Sequence, residues 1–547
     1  MSANAEFSSD GAAKRRGRTA AFLVPSLADW VFVSILAWLF FGAAGATSLL
    51  VDGDTGWHIR TGEHILATGE FPRQDLFSFT MEGEQWFAWE WLADVLFAAI
   101  HQVVGLKGIA LLGGVVIAAT AAALLRYMLW LRVNVLLAVF GLMMACAAST
   151  VHWLARPHMF TWGFFLATIW LLESDRRRPS WRVYLLVPLV IVWTNTHGAF
   201  VALLLTLGVY TVGGTLEQIW ALRADPSRTA KWTVPPVLRR YSLLLLLCAA
   251  ATLVNPYTYE LHRHIFHYLQ SDFILQHVQE FQSPDFRGES MTVYEAALVL
   301  SILACGWMLR RREIVHPLLI LAWAHASLVS VRHMPLFMIV AVPLLAREIT
   351  FWFEEQARAG NPWFKGLSDL ADDYGGKSKT VSEARPAWAS WLAVGATVAM
   401  AMLLQVRDGE RLWTAEFPEA RFPKLACDTF GDQLQGRRVL TMDQWGDYLI
   451  YRFHPSVKVF IDGRSDFYAP SIRDEYVGLL NSHWGWQRVL EKHDFDAALV
   501  PVDWSLASAL KLDPGWRLAY DDGFALLFEK REVFRASHVG LEKWHAN

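Results

Sequence analysis

Residues 29–60 read DWVFVSILAWLFFGAAGATSLLVDGDTGWHIR. The first part, 29–50, is almost wholly apolar and has the length, about 20 residues, that crosses a bilayer as a helix. It starts too late and runs too long for a signal-peptide core, and no small-residue cleavage site follows, so it reads as a retained span. Lys14, Arg15, Arg16 and Arg18 precede it, which puts a tail of residues 1–28 in the cytoplasm by the positive-inside rule. The second part turns abruptly polar. Gly53 permits a tight turn between Asp52 and Asp54, and two carboxylates two residues apart in a turn can hold a hard divalent cation or divide the roles of base and metal ligand. Solvated loop acids or a helix cap fit the same residues.

Outward from this stretch, further apolar runs are centred near residues 115, 141, 165, 189, 206, 247, 300, 321, 340 and 396. They predict an α-helical polytopic membrane protein with about eleven transmembrane helices over 29–405. The apolar segment 91–104 is shorter and is expected to be an interfacial or re-entrant helix within an outer loop, 51–104. Charge supports that parity. Arg126, Arg132, Arg176–Arg178 and Arg310–Arg312 then fall inside, with about 24 Lys and Arg inside against about 7 outside when residues 406–547 are left out. An odd count leaves residues 406–547 outside, in the periplasm of a bacterial inner membrane.

Composition agrees. Of 547 residues 54% are hydrophobic and 18% charged, which excludes a disordered chain and leaves too little polar surface for an ordinary soluble enzyme. A net charge of −3 offers no global basic field for nucleic acid. Cys146, Cys248, Cys305 and Cys427 show no ligand spacing, and there is neither a P-loop nor a GxGxxG, so no nucleotide cofactor is expected.

Polar residues gather at the outer ends of the spans. Residues 51–94 carry nine acids, among them Asp52, Asp54 and Glu90, against Arg60 and Arg73. Arg156 and His158, Asn195 and His197, Asn255 and Tyr257, and Arg332 and His333 map to the same face. Charged groups at membrane depth are costly, so they tend to be paired or functional. Each of these alone reads equally as a cap, a snorkelling side chain or an internal ion pair. Together, Arg156, His158, His197, Arg332 and His333 can hold a phosphate or pyrophosphate, and His58 can join Asp52 and Asp54 around Mg or Mn. The outer loop 255–291 adds several histidines and acids, Glu280 included, without zinc-ligand spacing.

Residues 406–547 change character to short strands alternating with helices, which predicts a small α/β domain with a partly parallel sheet. Helices are expected over 471–492 and 505–512. Asp443, Trp445, Asp462 and Arg464 follow strands, where open α/β sheets bind ligands, and are candidates for an acceptor or glycan site. Ordinary turn chemistry with an Asp–Arg pair fits them too.

An acidic pair after the first span, a long first outer loop and about eleven spans together resemble the GT-C superfamily of membrane glycosyltransferases, in particular the protein O-mannosyltransferase and aminoarabinose transferase type. The chain also resembles a widespread group of bacterial multi-span membrane proteins, through DGDTGWHIRTGEHI, WEWLADVL, LARPHMFTW, WTNTHGAF, ATLVNPYTYEL, SPDF, RHMPLF, DQWGDYLIYR and VFIDGRSDFY over most of 29–530. The resemblance implies sugar transfer from a polyprenyl-phosphate donor to a glycan, lipid or protein acceptor on the outer face, with Asp54 or Asp52 as base or metal carboxylate. Gly53 separates acids that are often adjacent in such enzymes, which leaves the division of roles open. A lipid-linked glycan transporter or flippase, or a non-catalytic cell-envelope assembly protein, are the alternatives.

Overall fold

A computed structural model describes residues 25–43, 45–223, 235–288, 291–384, 388–403, 406–407, 410–411 and 413–531. The basic tail with Lys14, Arg15, Arg16 and Arg18 lies outside them. In chain order the helices are α1 Leu27–Phe41, α2 Thr55–Thr68, α3 Trp91–Val104, α4 Leu106–Trp130, α5 Val135–Ser149, α6 His158–Arg177, α7 Leu186–Thr196, α8 Val201–Arg223, α9 Pro236–Ala251, α10 Tyr259–Leu269, α11 Asp272–His277, α12 Met291–Arg310, α13 Val315–Val329, α14 Met334–Arg358, α15 Pro362–Ala384 and α16 Trp388–Leu403. Two short strands follow, β1 Val406–Arg407 and β2 Glu410–Arg411. Beyond them come α17 Lys424–Leu434, β3 Arg438–Leu440, α18 Asp443–Phe453, β4 Lys458–Val459, α19 Pro470–Leu480, α20 Trp486–His493, β5 Ala497–Pro501, α21 Ser505–Leu512, β6 Trp516–Asp521 and β7 Ala525–Lys530.

The chain divides into two compact units. One holds residues up to Val51, Thr61–Phe71 and Phe87–Glu416; the other holds Asp52–Arg60, Pro72–Trp86 and Phe417 onward.

The first unit is helical. Among the described residues, five helices are long and apolar enough to cross a membrane: Leu106–Trp130, Val135–His152, Gly198–Arg223, Met291–Arg310 and Val331–Arg358. Leu27–Phe41, Trp91–Val104 and Val315–Val329 are apolar but shorter. The first apolar run is therefore not one helix: α1 ends at Phe41, Gly45 takes a positive φ of 60°, and Ala46–Leu50 forms a 3-10 turn. At 14 residues, α3 is about 21 Å long, short of a hydrocarbon core of about 30 Å. The centre of this unit is α14, whose residues Met334–Glu348 are all buried, as an element apolar on every side must be. Elsewhere small residues allow close packing. A Cβ on Gly114 of α4 would stand 2.7 Å from the Phe40 ring of α1.

Where α6 finishes and α13 begins, buried charges tie four helices together. Glu173 accepts a 2.8 Å hydrogen bond from Tyr210 and lies 2.9 Å from His316 Nε2. Arg176 grips both oxygens of Glu217 at 2.9 and 2.8 Å, and Glu217 accepts the Ile314 and Val315 amides at 2.6 and 3.0 Å, satisfying open donors at the start of α13. Glu313 Oε2 lies 2.6 Å from His316 Nδ1 and takes a 2.6 Å bond from Arg347. Arg347 also reaches Glu348 at 3.0 Å, and Arg311 pairs with the other oxygen of Glu348.

The second unit is α/β. Its five-stranded sheet has the order β4-β3-β5-β7-β6, with β3 parallel to β4 and β5, and β7 antiparallel to β5 and β6. The long helix expected over 471–492 is two, α19 and α20, separated at Gly485 with φ 88°. DQWGDYLIYRF forms helix α18, directly after β3. Leu440, Phe460, Tyr468, Leu479, Phe495, Val500, Leu506 and Phe528 are buried in one core cluster. First-loop residues complete the sheet edge: Val459 N donates to Phe77 O at 3.0 Å, Phe79 N to Val459 O at 3.1 Å, and Thr80 Oγ1 to Phe460 O at 2.7 Å.

Candidate functional site

In the α/β unit the predicted acidic turn is present. Asp52 Oδ1 accepts the Asp54 amide at 3.0 Å, and Gly53 N donates to Gln444 Oε1 at 2.7 Å. Gly53 is required by proximity: a Cβ there would stand 2.5 Å from Gln444 O and 2.8 Å from Asp447 Cβ. Asp447, on α18, is the partner that sequence reasoning missed. Its Oδ1 accepts the Gly463 amide at 3.0 Å, while its Oδ2 is buried with no hydrogen-bond partner. A Cβ on Gly463 would lie 2.1 Å from Asp54 Oδ1 and 2.7 Å from Asp447 Oδ2, so both carboxylates crowd the same point above that glycine. Burial, then the charges of Asp54 and Asp462, push the Asp447 carboxyl well above its ordinary range. The i, i+4 spacing of Asp443 and Asp447 was the available signal, since it puts both acids on one face of a helix.

His58 is buried one turn along α2, its ring 3.6 Å from that of Trp57. Among the described residues, no three His, Cys, Asp or Glu side chains are grouped so as to hold a metal ion. The expected Mg or Mn therefore has no assembled ligand set there.

Asp462 and Arg464 form a buried knot. Arg464 donates to Asp462 at 2.9 and 2.6 Å and to Asp75 at 2.7 Å, and Tyr468 donates to Asp462 at 2.7 Å. The guanidinium lies against Phe77, Trp86 and Phe467 at 4.7–4.9 Å. Burial opposes ionisation of Asp75, but Arg464 and Ser78 prevail and hold it below the usual carboxylate range. Trp445 is 1% exposed and donates to Arg421 O at 2.8 Å, so its indole offers no face to a sugar.

In the helical unit a second cluster forms where α6 begins. Arg156, just before α6, and Arg332, in the turn before α14, both face Glu280, at 3.7 and 3.6 Å. Arg332 also lies 4.3 Å from the Phe281 ring and 3.5 Å from the Tyr268 hydroxyl. Glu280 sits in the 3-10 turn Gln279–Phe281, which Ser330 Oγ anchors through Glu280 O at 2.8 Å and Val331 N through Gln282 O at 2.9 Å.

Nearby histidines are held by uncharged partners. His158 Nε2 is 2.9 Å from His152 O, His197 Nδ1 is 2.9 Å from Thr161 Oγ1, and His333 Nδ1 is 3.2 Å from Ala326 O. Glu90 faces His197 Nε2 at 3.5 Å, and the His158 and His197 rings are 6.4 Å apart. The remaining candidates build turns. Asn195 accepts from Trp91 at 2.7 Å and donates to Ile191 O and Val254 O, both at 2.8 Å. Asn255 caps the turn that presents Tyr257, whose hydroxyl accepts the Ala88 amide at 3.0 Å. The structure thus brings Arg156 and Arg332 together with His158, His197 and Glu90 around them, and adds Glu280, to which the sequence assigned no role.

The fold is similar to that of an Archaeoglobus fulgidus oligosaccharyltransferase tethered with an acceptor peptide containing the NVT sequon, with TM-score 0.50 and 10% identity over 95% of this chain and 74% of that one. Two further structures of oligosaccharyltransferase from that organism align at TM-score 0.49. The apo form has 9% identity over 87% of this chain and 69% of that one; the AglB complex with an inhibitory peptide and a dolichol-phosphate has 11% identity over 97% and 75%. No protein-family model and no curated protein matches the sequence.

Proposed function

We propose that this chain is a membrane glycosyltransferase that moves a sugar from a polyprenyl-phosphate-linked donor to a glycan, lipid or protein acceptor on the periplasmic face of a bacterial inner membrane. The observation that carries this reading is the pair Arg156 and Arg332, drawn from distant parts of the sequence onto one anionic group, Glu280. Guanidinium groups so arranged suit the oxygens of a phosphate. The shared fold with an oligosaccharyltransferase supports it, as does a carboxylate, Asp54, in the first outer loop.

In the proposed reaction Asp54 accepts the proton of the acceptor nucleophile as its oxygen or nitrogen attacks the anomeric carbon. The bond from that carbon to the phosphate oxygen breaks, and its electron pair leaves with the phosphate. The donor phosphate is assigned to Arg156 and Arg332 of the helical unit, whose guanidinium groups suit its charge. Without an assembled ligand set, no step is routed through a metal.

The test uses full-length protein in vesicles with a polyprenyl-phosphate-linked sugar, following donor consumption. Asp54→Asn and Arg332→Gln are each expected to lower turnover by about 100-fold or more. Full transfer by both variants would sink the assignment, and lipid-linked donor crossing the bilayer unconsumed would replace it with a flippase.

A further inference from the structure

The second cluster contains an anion of its own. Glu280 stands between Arg156 and Arg332 at 3.7 and 3.6 Å, beyond hydrogen-bond range of either. Charge-assisted bonds normally close to about 2.7–2.9 Å, and ion pairs of comparable exposure elsewhere in the same helical unit do so: 2.8 Å for Arg176–Glu217 and 2.6 Å for Arg347–Glu313. The Glu280 pairing neutralises charge without a fitted geometry. Its side chain is 20% exposed, and those of Arg156 and Arg332 are 18% and 20% exposed, so none of the three is fully enclosed.

Mobility is apportioned in the same sense. The turn carrying Glu280 is anchored by its backbone, through Ser330 and Val331. Arg332 is flanked by Phe281 and Tyr268. The Glu280 carboxylate alone can swing away without unhooking the turn or moving either arginine. A phosphate, with more charge and more acceptor oxygens than a carboxylate, would make the close bonds that Glu280 does not.

We propose that Glu280 is the free-state occupant of the anion position, and that a phosphate or pyrophosphate group enters by displacing its carboxylate from Arg156 and Arg332. This rests on the phosphate-binding role given to those arginines above. Glu280 offsets one of the two positive charges while the position is empty, and it sets a threshold that weaker anions do not pass. The apparent affinity of the position is reduced by the fraction of time it is open.

The experiment measures binding of inorganic pyrophosphate, by calorimetry, and of a polyprenyl monophosphate in mixed micelles to detergent-solubilised full-length wild type, Glu280→Gln, Glu280→Asp and Arg332→Gln. If Glu280 fills the position about nine-tenths of the time, Glu280→Gln binds about tenfold more tightly than wild type. Glu280→Asp, charged but shorter, falls between them, and Arg332→Gln loses binding. Should Glu280→Gln melt early, pyrophosphate is expected to raise its melting temperature more than it raises the wild type's. Equal or weaker binding by Glu280→Gln, with loss in Arg332→Gln, would overturn the displacement and leave the phosphate role standing. No binding by wild type or Glu280→Gln would overturn both. Tightening for pyrophosphate but not for the lipid phosphate supports displacement and overturns the lipid as its source.

Discussion

The two ends of the helical unit use the same residue types to opposite effect. Where α6 finishes, Glu173, Arg176, Glu217, Glu313, His316, Arg347 and Glu348 interlock at 2.6–3.0 Å, with carboxylates also capping backbone amides. Where α6 begins, Arg156 and Arg332 stand 3.7 and 3.6 Å from Glu280. The first end is closed by short hydrogen bonds; the second is open in that Glu280 makes none to either arginine. The presence of Arg and Glu at helix ends therefore does not distinguish structure from function; the closeness of their pairing does.

Breaking the closed end carries the largest expected effect. Arg347→Gln leaves Glu313 and Glu348 without their shared guanidinium, and the loss of one partner from a buried ion cluster costs about 3–5 kcal/mol. A large drop in melting temperature in detergent, with turnover per folded molecule unchanged, is expected; unchanged melting would erase the contrast between the ends. Arg332→Gln at the open end predicts the converse. Turnover falls about 10²–10³-fold, while melting falls by less than in Arg347→Gln, because no hydrogen bond closes the Arg332–Glu280 pair.

A smaller effect is expected at Gly198. A Cβ there would stand 2.2 Å from Trp89 Cζ3, so Gly198→Ala must displace the indole, at a cost of about 1–3 kcal/mol. Trp89 packs on Tyr268, which touches Arg332, so the variant should also raise the KM for donor. A variant with wild-type KM would show that the open end does not depend on that packing.

The mildest test concerns the Asp462–Arg464–Asp75 knot of the α/β unit, which is of the closed type. Asp75 is held below its ordinary range, so the folded form binds its proton less readily than the unfolded chain does. Its stabilisation is present above the usual carboxylate range, near pH 4, and is lost as pH falls through the depressed value. Melting measured from pH 6 down to pH 3 should decline less steeply in Asp75→Asn than in wild type, from a lower starting point. Parallel profiles would remove the knot from the closed class.

Much of this was legible along the chain. The apolar runs gave the helical unit, and Asp52-Gly53-Asp54 gave the acidic turn, because both signals are local. Arg156 and Arg332 were legible as costly residues at span ends. Their convergence on Glu280 was not, because it depends on a turn anchored through the backbone at Ser330 and Val331. Asp447 escaped for a related reason: it reads as one polar residue of an amphipathic helix until Gly463 brings it beside Asp54. Trp445 drew attention as an aromatic near a strand end, yet its neighbours Phe524 and Arg421 enclose it. Nor did the sequence indicate that Asp52–Arg60 and Pro72–Trp86 belong with residues beyond 416, since no periodicity encodes a pairing across most of the chain.

That pairing bears on how the protein is made. Thr80 and its acceptor Phe460 are 380 residues apart, so at about 5–20 residues per second the ribosome takes roughly 20–75 seconds to supply the strand that segment 77–80 joins. Throughout that interval Phe77 and Phe79 sit on an unmatched edge, which is an invitation to aggregation. Biogenesis of this chain therefore calls for something to shelter the first loop until the last quarter of the polypeptide emerges, and a C-terminal fragment expressed alone would emerge lacking Asp75 for its buried Arg464.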